Sequence, residues 1–267
     1  MLNNFFITDP DKDEGQKKDK QLRKLIPNLI TLGSMVCGLT AIQMAIGEQW
    51  SNAVLLILVA TVLDTLDGAI ARLLNATSKF GAELDSLADF LSFGVAPATV
   101  MYLWLLNDAG KIGWIATLVF VMASALRLAR FNASAEEQEE KPEWGKYFFS
   151  GVPAPAGSGI ALLPIIIYLQ LDTDLSDYNI GTPLIAVWVM VVAGLMVSRL
   201  PTFSSKQIRL PSIGLIPTLA VVGLFLAVLI NAPWITLTVS GLIYTAMIPV
   251  SYRVYRSREK RALKVIK

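Results

Sequence analysis

Residues 64–89 read DTLDGAIARLLNATSKFGAELDSLAD and lie between an apolar run at 49–63 and another at 90–107. Asp64, Asp67, Gly68 and Ala71 stand at i, i+3, i+4 and i+7, so a helix puts them on one face. Gly81, Asp85 and Asp89, at i, i+4 and i+8, share a face of the next helix. The link between them is short, which makes the two helices antiparallel neighbours. Four carboxylates can then converge at the end of the pair where the link lies, beside small residues that let another molecule approach the backbone.

Working outward, the apolar layer around this stretch is a membrane. Apolar residues make up 54% of the 267-residue chain and charged residues 16%, against about 25% charged in soluble proteins. Runs free of Asp, Glu, Lys and Arg cover 25–47, 90–107, 147–171, 178–198 and 210–252. A helix needs about 20 residues to cross the hydrocarbon core, so the last run holds two spans, divided at Asn231-Ala232-Pro233. The runs at 49–63 and 112–126 are short and cross only by continuing through Asp64, Asp67 and Arg72, or through Arg127 and Arg130. The fold expected is all-α: a polytopic membrane bundle of about eight helices.

Basic residues support this count, because loops kept in the cytoplasm collect Lys and Arg. With the amino terminus inside, 22 of the 23 Lys and Arg fall on the cytoplasmic side and only Lys111 falls outside. Both termini are therefore expected in the cytoplasm, and the carboxylate site with them. The chain divides into a polar and basic tail at 1–24, a membrane domain at 25–252 and a basic tail at 253–267. No cleavable signal peptide is visible. One cysteine, Cys37, excludes a disulfide scaffold, and 18 Gly with 13 Pro exclude a collagen-like chain. The absence of histidine matters for chemistry: it removes the imidazole base, the Ser-His-Asp triad and His-ligated zinc.

Four unpaired carboxylates at a membrane boundary repel one another and are costly to insert. Two divalent cations would neutralise them and leave coordination positions for phosphate oxygens, and all-oxygen ligation favours Mg²⁺, Mn²⁺ or Ca²⁺. Small-residue helix packing explains the glycines but not four aspartates at matched spacing. An ion-coupled transporter would place its acids near the bilayer midplane and carry an internal repeat; a scaffold without catalysis would need neither.

The pattern D-x-x-D-G-x-x-A-R, eight residues, G-x-x-x-D-x-x-x-D resembles, at every position, the signature of the CDP-alcohol phosphotransferase family. The resemblance implies a shared six-helix core in the first six spans, a homodimer, and a dimetal site of Mg²⁺ or Mn²⁺ made by Asp64, Asp67, Asp85 and Asp89. It further implies that Gly68, Arg72, Ser78 and Gly81 lie at the CDP-linked donor and that Asp89 is the proton acceptor. Asn28 and Thr31 match the family's N-x-x-T element near the nucleotide. Independently, a carboxylate can replace the missing histidine as general base, and Arg72 is a natural phosphate fork; spacing alone does not say which aspartate takes the proton.

Residues 124–132, SALRLARFN, and 151–156, GVPAPA, resemble elements of the phosphatidylserine-forming branch of that family. Arg127 and Arg130 lie three apart on one helical face and can approach one anion, either an acceptor carboxylate or a donor phosphate. Asn132 and, in the 201–206 loop, Lys206 are further candidate contacts. The reaction expected is CDP-diacylglycerol plus L-serine giving phosphatidylserine and CMP in the inner membrane, with membrane lipid and no nucleic acid as partner. The alternatives are the same chemistry on glycerol 3-phosphate, inositol phosphate or choline. Phosphorylated acceptors call for a larger basic pocket and choline for an aromatic cage, and neither is evident.

Overall fold

A computed structural model describes residues 10–136, 148–171, 181–203 and 215–266. Helix α1 (Pro10–Ile46) turns at Gly47 into α2 (Trp50–Leu73), and a five-residue link leads to α3 (Lys79–Asp89). Helix α3 runs on through a π-helical turn, Phe90–Val95, into α4 (Ala96–Trp104), and a 3-10 turn at Leu106–Ala109 precedes α5 (Lys111–Glu136). Then follow β1 (Phe148–Ser150), α6 (Ala154–Ala161), α7 (Leu163–Leu171), α8 (Gly181–Val197), β2 (Pro201–Phe203), α9 (Leu215–Asn231) and α10 (Pro233–Ile266).

The pattern on α1 shows the solvent for which these helices are built. Its buried positions are small or polar: Pro27, Thr31, Ser34, Gly38, Ala41 and Ala45, repeating at intervals of four and three. Its exposed large apolar residues are Leu25, Ile26, Leu29, Leu32, Val36, Leu39 and Ile46. Large apolar side chains outside and small ones inside suit lipid, where association depends on close backbone approach and not on removal of apolar surface from water. At Gly38 a Cβ would lie 2.8 Å from Ser92 Oγ, and at Gly94 it would lie 2.7 Å from Ser124 Oγ. The π-helical turn is thus wedged between α1 and α5. Ser34 Oγ donates to Ala60 O at 3.0 Å and Ser92 Oγ to Ser34 O at 3.1 Å, tying α1, α2 and the π turn together in the core.

Among the described residues, five helices are long and apolar enough to cross a membrane, 23–46, 50–73, 79–104, 111–134 and 233–260, so the expected count of about eight is not reached on length and composition. Helices α6 and α7, bent by 43° at their junction, make a sixth if they cross as one. Helices α8 and α9 have 17 residues each and are shorter than any of these five. The expected continuation of two spans through Asp64, Asp67 and Arg72, and through Arg127 and Arg130, is what α2 and α5 do. The break at Asn231–Pro233 also falls as expected, with Pro233 opening α10 where its missing N–H costs nothing.

One element lies outside an all-helical expectation. Strands β1 and β2 pair antiparallel with Phe148 opposite Phe203 and Ser150 opposite Pro201. Gly151, at φ 79°, ends the first strand, and its N–H donates to Leu200 O at 2.8 Å. A Cβ there would lie 2.7 Å from Met196 O as well as in a conformation L residues avoid, so glycine is required twice over.

Candidate active site

The link between α2 and α3 sets the site. Helix α2 ends in a Schellman turn: Ala76 N–H donates to Ala71 O at 2.9 Å, and Asn75 N–H to Arg72 O at 3.2 Å. Asn75 takes the left-handed conformation at φ 50°, which Asn tolerates better than most residues. Three residues later Ser78 caps α3, its Oγ accepting from Gly81 N at 3.1 Å. One helix is closed and the next opened within five residues, so the carboxylate faces of α2 and α3 meet.

Asp64, Asp67 and Asp85 each offer a carboxylate oxygen, and these atoms all lie within 4.8 Å of one another. Asp67 is the most enclosed of the three, at 4% exposure, and Thr31 Oγ1 of α1 donates to its Oδ2. The charged neighbours of Asp85 are Asp67 and Asp64, with no cation among them. Such a cluster is electrostatically incomplete, and hard oxygen ligands at this spacing suit a divalent cation of the Mg²⁺ or Mn²⁺ type. Asp89 stands one helical turn beyond Asp85. It lies near Asp64 but outside the closest trio, and Arg127 of α5 is its cationic neighbour.

A cleft of about 190 Å³ opens beside the trio. It is lined by Asn28 and Thr31 of α1, Asp67, Gly68 and Arg72 of α2, Ser78 of the link, and Gly81 and Asp85 of α3. All six residues expected at the CDP-linked donor thus share one cleft with two of the carboxylates. The two glycines differ in what they allow. At Gly68 a Cβ would lie 3.5 Å from Arg72 Nη1, so the guanidinium folds back over the bare backbone; at Gly81 it would lie 3.0 Å from Asn28 Oδ1 and 3.1 Å from Ser78 Oγ, so glycine is what admits Asn28. Thr77 and Pro27 also line the cleft and were not singled out in the sequence. Adjacency to Ser78 and Asn28 is the only signal that marks them.

The candidate acceptor contacts separate. Arg127 stays at the cluster, beside Asp89, with its Nε buried and without a hydrogen-bond partner among the described residues. Arg130 turns away: its Nη1 donates to Val197 O at 2.7 Å and its Nη2 to Ser198 O at 3.2 Å, closing the carboxyl end of α8. Asn132 Nδ2 donates to Ser86 Oγ at 2.9 Å and ties α5 to α3 next to Asp85. Lys206 lies outside the described residues.

A helical membrane protein whose paired carboxylate helices flank a phosphate-sized cleft is the class this geometry defines. The chain belongs to the CDP-alcohol phosphatidyltransferase family, whose model matches residues 24–193, and a second model, CDP-alcohol phosphatidyltransferase 2, matches residues 215–249. Among its relatives, a Mycobacterium leprae protein is 35% identical over 226 residues, covering 85% of this chain and 74% of that one. A Helicobacter pylori (strain J99) protein is 35% identical over 188 residues, or 69% of this chain and 74% of that one. A Methanocaldococcus jannaschii protein is 32% identical over 189 residues, or 69% and 79%. Each bears the name CDP-diacylglycerol--serine O-phosphatidyltransferase.

Proposed function

We propose that this protein transfers the phosphatidyl group of CDP-diacylglycerol to the hydroxyl of L-serine, giving phosphatidylserine and CMP. The observation that carries the reading is the cleft beside the carboxylate trio, which gathers Asn28, Thr31, Gly68, Arg72, Ser78 and Gly81 at one place. The names of the relatives supply the donor and the acceptor.

Asp64, Asp67, Asp85 and Asp89 would hold two divalent cations, Mg²⁺ or Mn²⁺, which when bound stabilise charge on the phosphoryl group in attack and departure. Arg72, lying over Gly68, binds donor phosphate oxygens as a planar fork. Asn28 and Ser78 line the nucleotide end of the cleft. Asp89 takes the proton of the serine hydroxyl, whose oxygen then forms a bond to the phosphorus that carries diacylglycerol. The bond from that phosphorus to the CMP oxygen breaks, and CMP leaves as the anion with no acid required. The polar substrates reach the site from the cytoplasm and the diacyl chains from the bilayer, which fits a cleft at the cytoplasmic ends of α2 and α3 in the inner membrane. A homodimer, implied by family resemblance, completes the reading.

The test is purified full-length protein with CDP-diacylglycerol and a panel of alcohols, following CMP release with Mg²⁺, with Mn²⁺ and with chelator. Serine-dependent CMP that disappears on chelation is the expected result. CMP released only with another alcohol would replace the acceptor and keep the mechanism.

A further inference from the structure

Several hydroxyls in the spans spend their proton locally. Thr40, Thr61, Thr99 and Thr117 each donate to the carbonyl four residues back in their own helix, the ordinary bond of a helical hydroxyl. Ser34 and Ser92 do otherwise. Both are buried, and each reaches a carbonyl on a different element: Ser34 Oγ donates from α1 to Ala60 O of α2 at 3.0 Å, and Ser92 Oγ from the π-helical turn to Ser34 O of α1 at 3.1 Å. Three segments are thereby joined through one residue, Ser34, by the kind of bond that ties helices together in lipid.

This line of bonds runs one helical turn from the acids on every segment. Ser92 stands three residues after Asp89, Ser34 three after Thr31, which holds Asp67, and Ala60 four before Asp64. Helices α1 and α3 run one way and α2 the other, so all three steps lead away from the α2–α3 link. The π turn begins directly after Asp89. It closes its rings from i to i+5, one residue wider than an α turn, and so changes the rotation of the acidic helix before it relative to the apolar helix after it. Its neighbours hold it on two sides. At Gly38 a Cβ would lie 2.9 Å from Ser92 Cα, so α1 meets the backbone of the turn itself, and at Gly94 a Cβ would lie 3.0 Å from Ser124 Cβ of α5. Backbone contact fixes where the turn sits along α1, and the Ser92 bond fixes how it is rotated.

We propose that Ser92 and Ser34 are positioning residues, which together with the π turn set Asp85 and Asp89 of α3 in register with Asp64 and Asp67 of α2. The two acidic helices are then aligned from a layer that touches neither substrate nor cation. Metal affinity depends on the groups that orient the ligands as well as on the ligands, so loss of either bond loosens the cluster and leaves the acceptor contacts alone. The inference rests on the aspartates being cation ligands.

The experiment compares full-length wild type with Ser92→Ala, with Ser34→Ala and with Thr117→Val, a control that removes a buried hydroxyl bonded within its own helix. Equilibrium Mn²⁺ binding without substrate, initial rates of CMP release and thermal melting are measured on each. Both serine variants should bind Mn²⁺ roughly tenfold more weakly and lose kcat by a similar factor, with KM for L-serine unmoved, whereas Thr117→Val should match wild type in Mn²⁺ affinity and kcat. Wild-type Mn²⁺ affinity in either serine variant would overturn the proposal, and with a lower melting temperature it would mark that serine as a packing residue only. An equal loss of affinity in Thr117→Val would overturn it as well, since any lost hydroxyl would then loosen the site. If wild type binds no Mn²⁺, the cation reading falls and this inference with it; if wild type binds and the serine variants match it, only the register role falls.

Discussion

Thr31 and Asp67 show how one hydroxyl tunes the cluster. Thr31 comes from α1, 36 positions earlier in the chain, and besides donating to Asp67 Oδ2 it lies 3.1 Å from Pro27 O, so its side chain is fixed from both ends. A hydrogen bond to a charged group contributes about 1.5–3 kcal/mol. Thr31→Val should therefore lower kcat/KM by roughly ten- to hundredfold and raise the divalent-cation concentration needed for half-maximal rate, whereas Thr31→Ser should restore both. Equal activity of the Val and Thr proteins would show that the bond does not orient the carboxylate. Among the described residues Asp85 has no such support, its charged neighbours being Asp67 and Asp64. Metal ligation would be its whole role, so Asp85→Asn should cost several kcal/mol of transition-state stabilisation, about 10³-fold in turnover, without loss of fold. Relief of like-charge repulsion should leave the melting temperature of that variant equal or higher, and a steep fall in melting temperature would mark Asp85 as structural instead.

At the scale of elements, the carboxylate helices were legible because the α-helical period places i, i+3, i+4 and i+7 on one face whatever surrounds them. The link was legible too, since Asn75 and Ser78 are residues that end and begin helices. The β1–β2 pair was not, because it joins segments about 50 residues apart and each strand is only three residues long. A separation of 67 residues likewise hid the fate of Arg130. Its spacing from Arg127 puts both on one face, but only the fold brings the end of α8 to within 2.7 Å of the second guanidinium and leaves the first at the acids. Arg130→Ala should unpair the carbonyls of Val197 and Ser198 at a cost of about 2 kcal/mol, lowering the melting temperature by several degrees. KM for serine measured below the transition should stay at the wild-type value. A selective rise in serine KM with an unchanged melting temperature would return Arg130 to the acceptor site.

At the scale of the molecule, the location of the chemistry follows from charge and length together. The span 79–104 has 26 residues, about 39 Å of helix, and exceeds the roughly 30 Å hydrocarbon core by about six residues. With its far end anchored at the 3-10 turn, the excess puts Asp85 at the membrane boundary on the side of Lys79. That side also holds Arg72, and we propose from the 22-to-1 division of basic residues that it faces the cytoplasm. Asp108 sits in the turn at the opposite end, exposed like Lys79. In a Cys37→Ala background, Lys79→Cys should react with a membrane-impermeant maleimide only in inverted vesicles, and Asp108→Cys only in right-side-out ones. Labelling of both from one side would mean that this segment does not cross, and the carboxylates would then lack the depth that gives lipid-borne donor and water-borne acceptor access to one cleft. Labelling in the reverse sense would keep the span but put the cleft on the outer face, where a cytoplasmic CDP-linked donor could not meet Asp64, Asp67 and Asp85 at all.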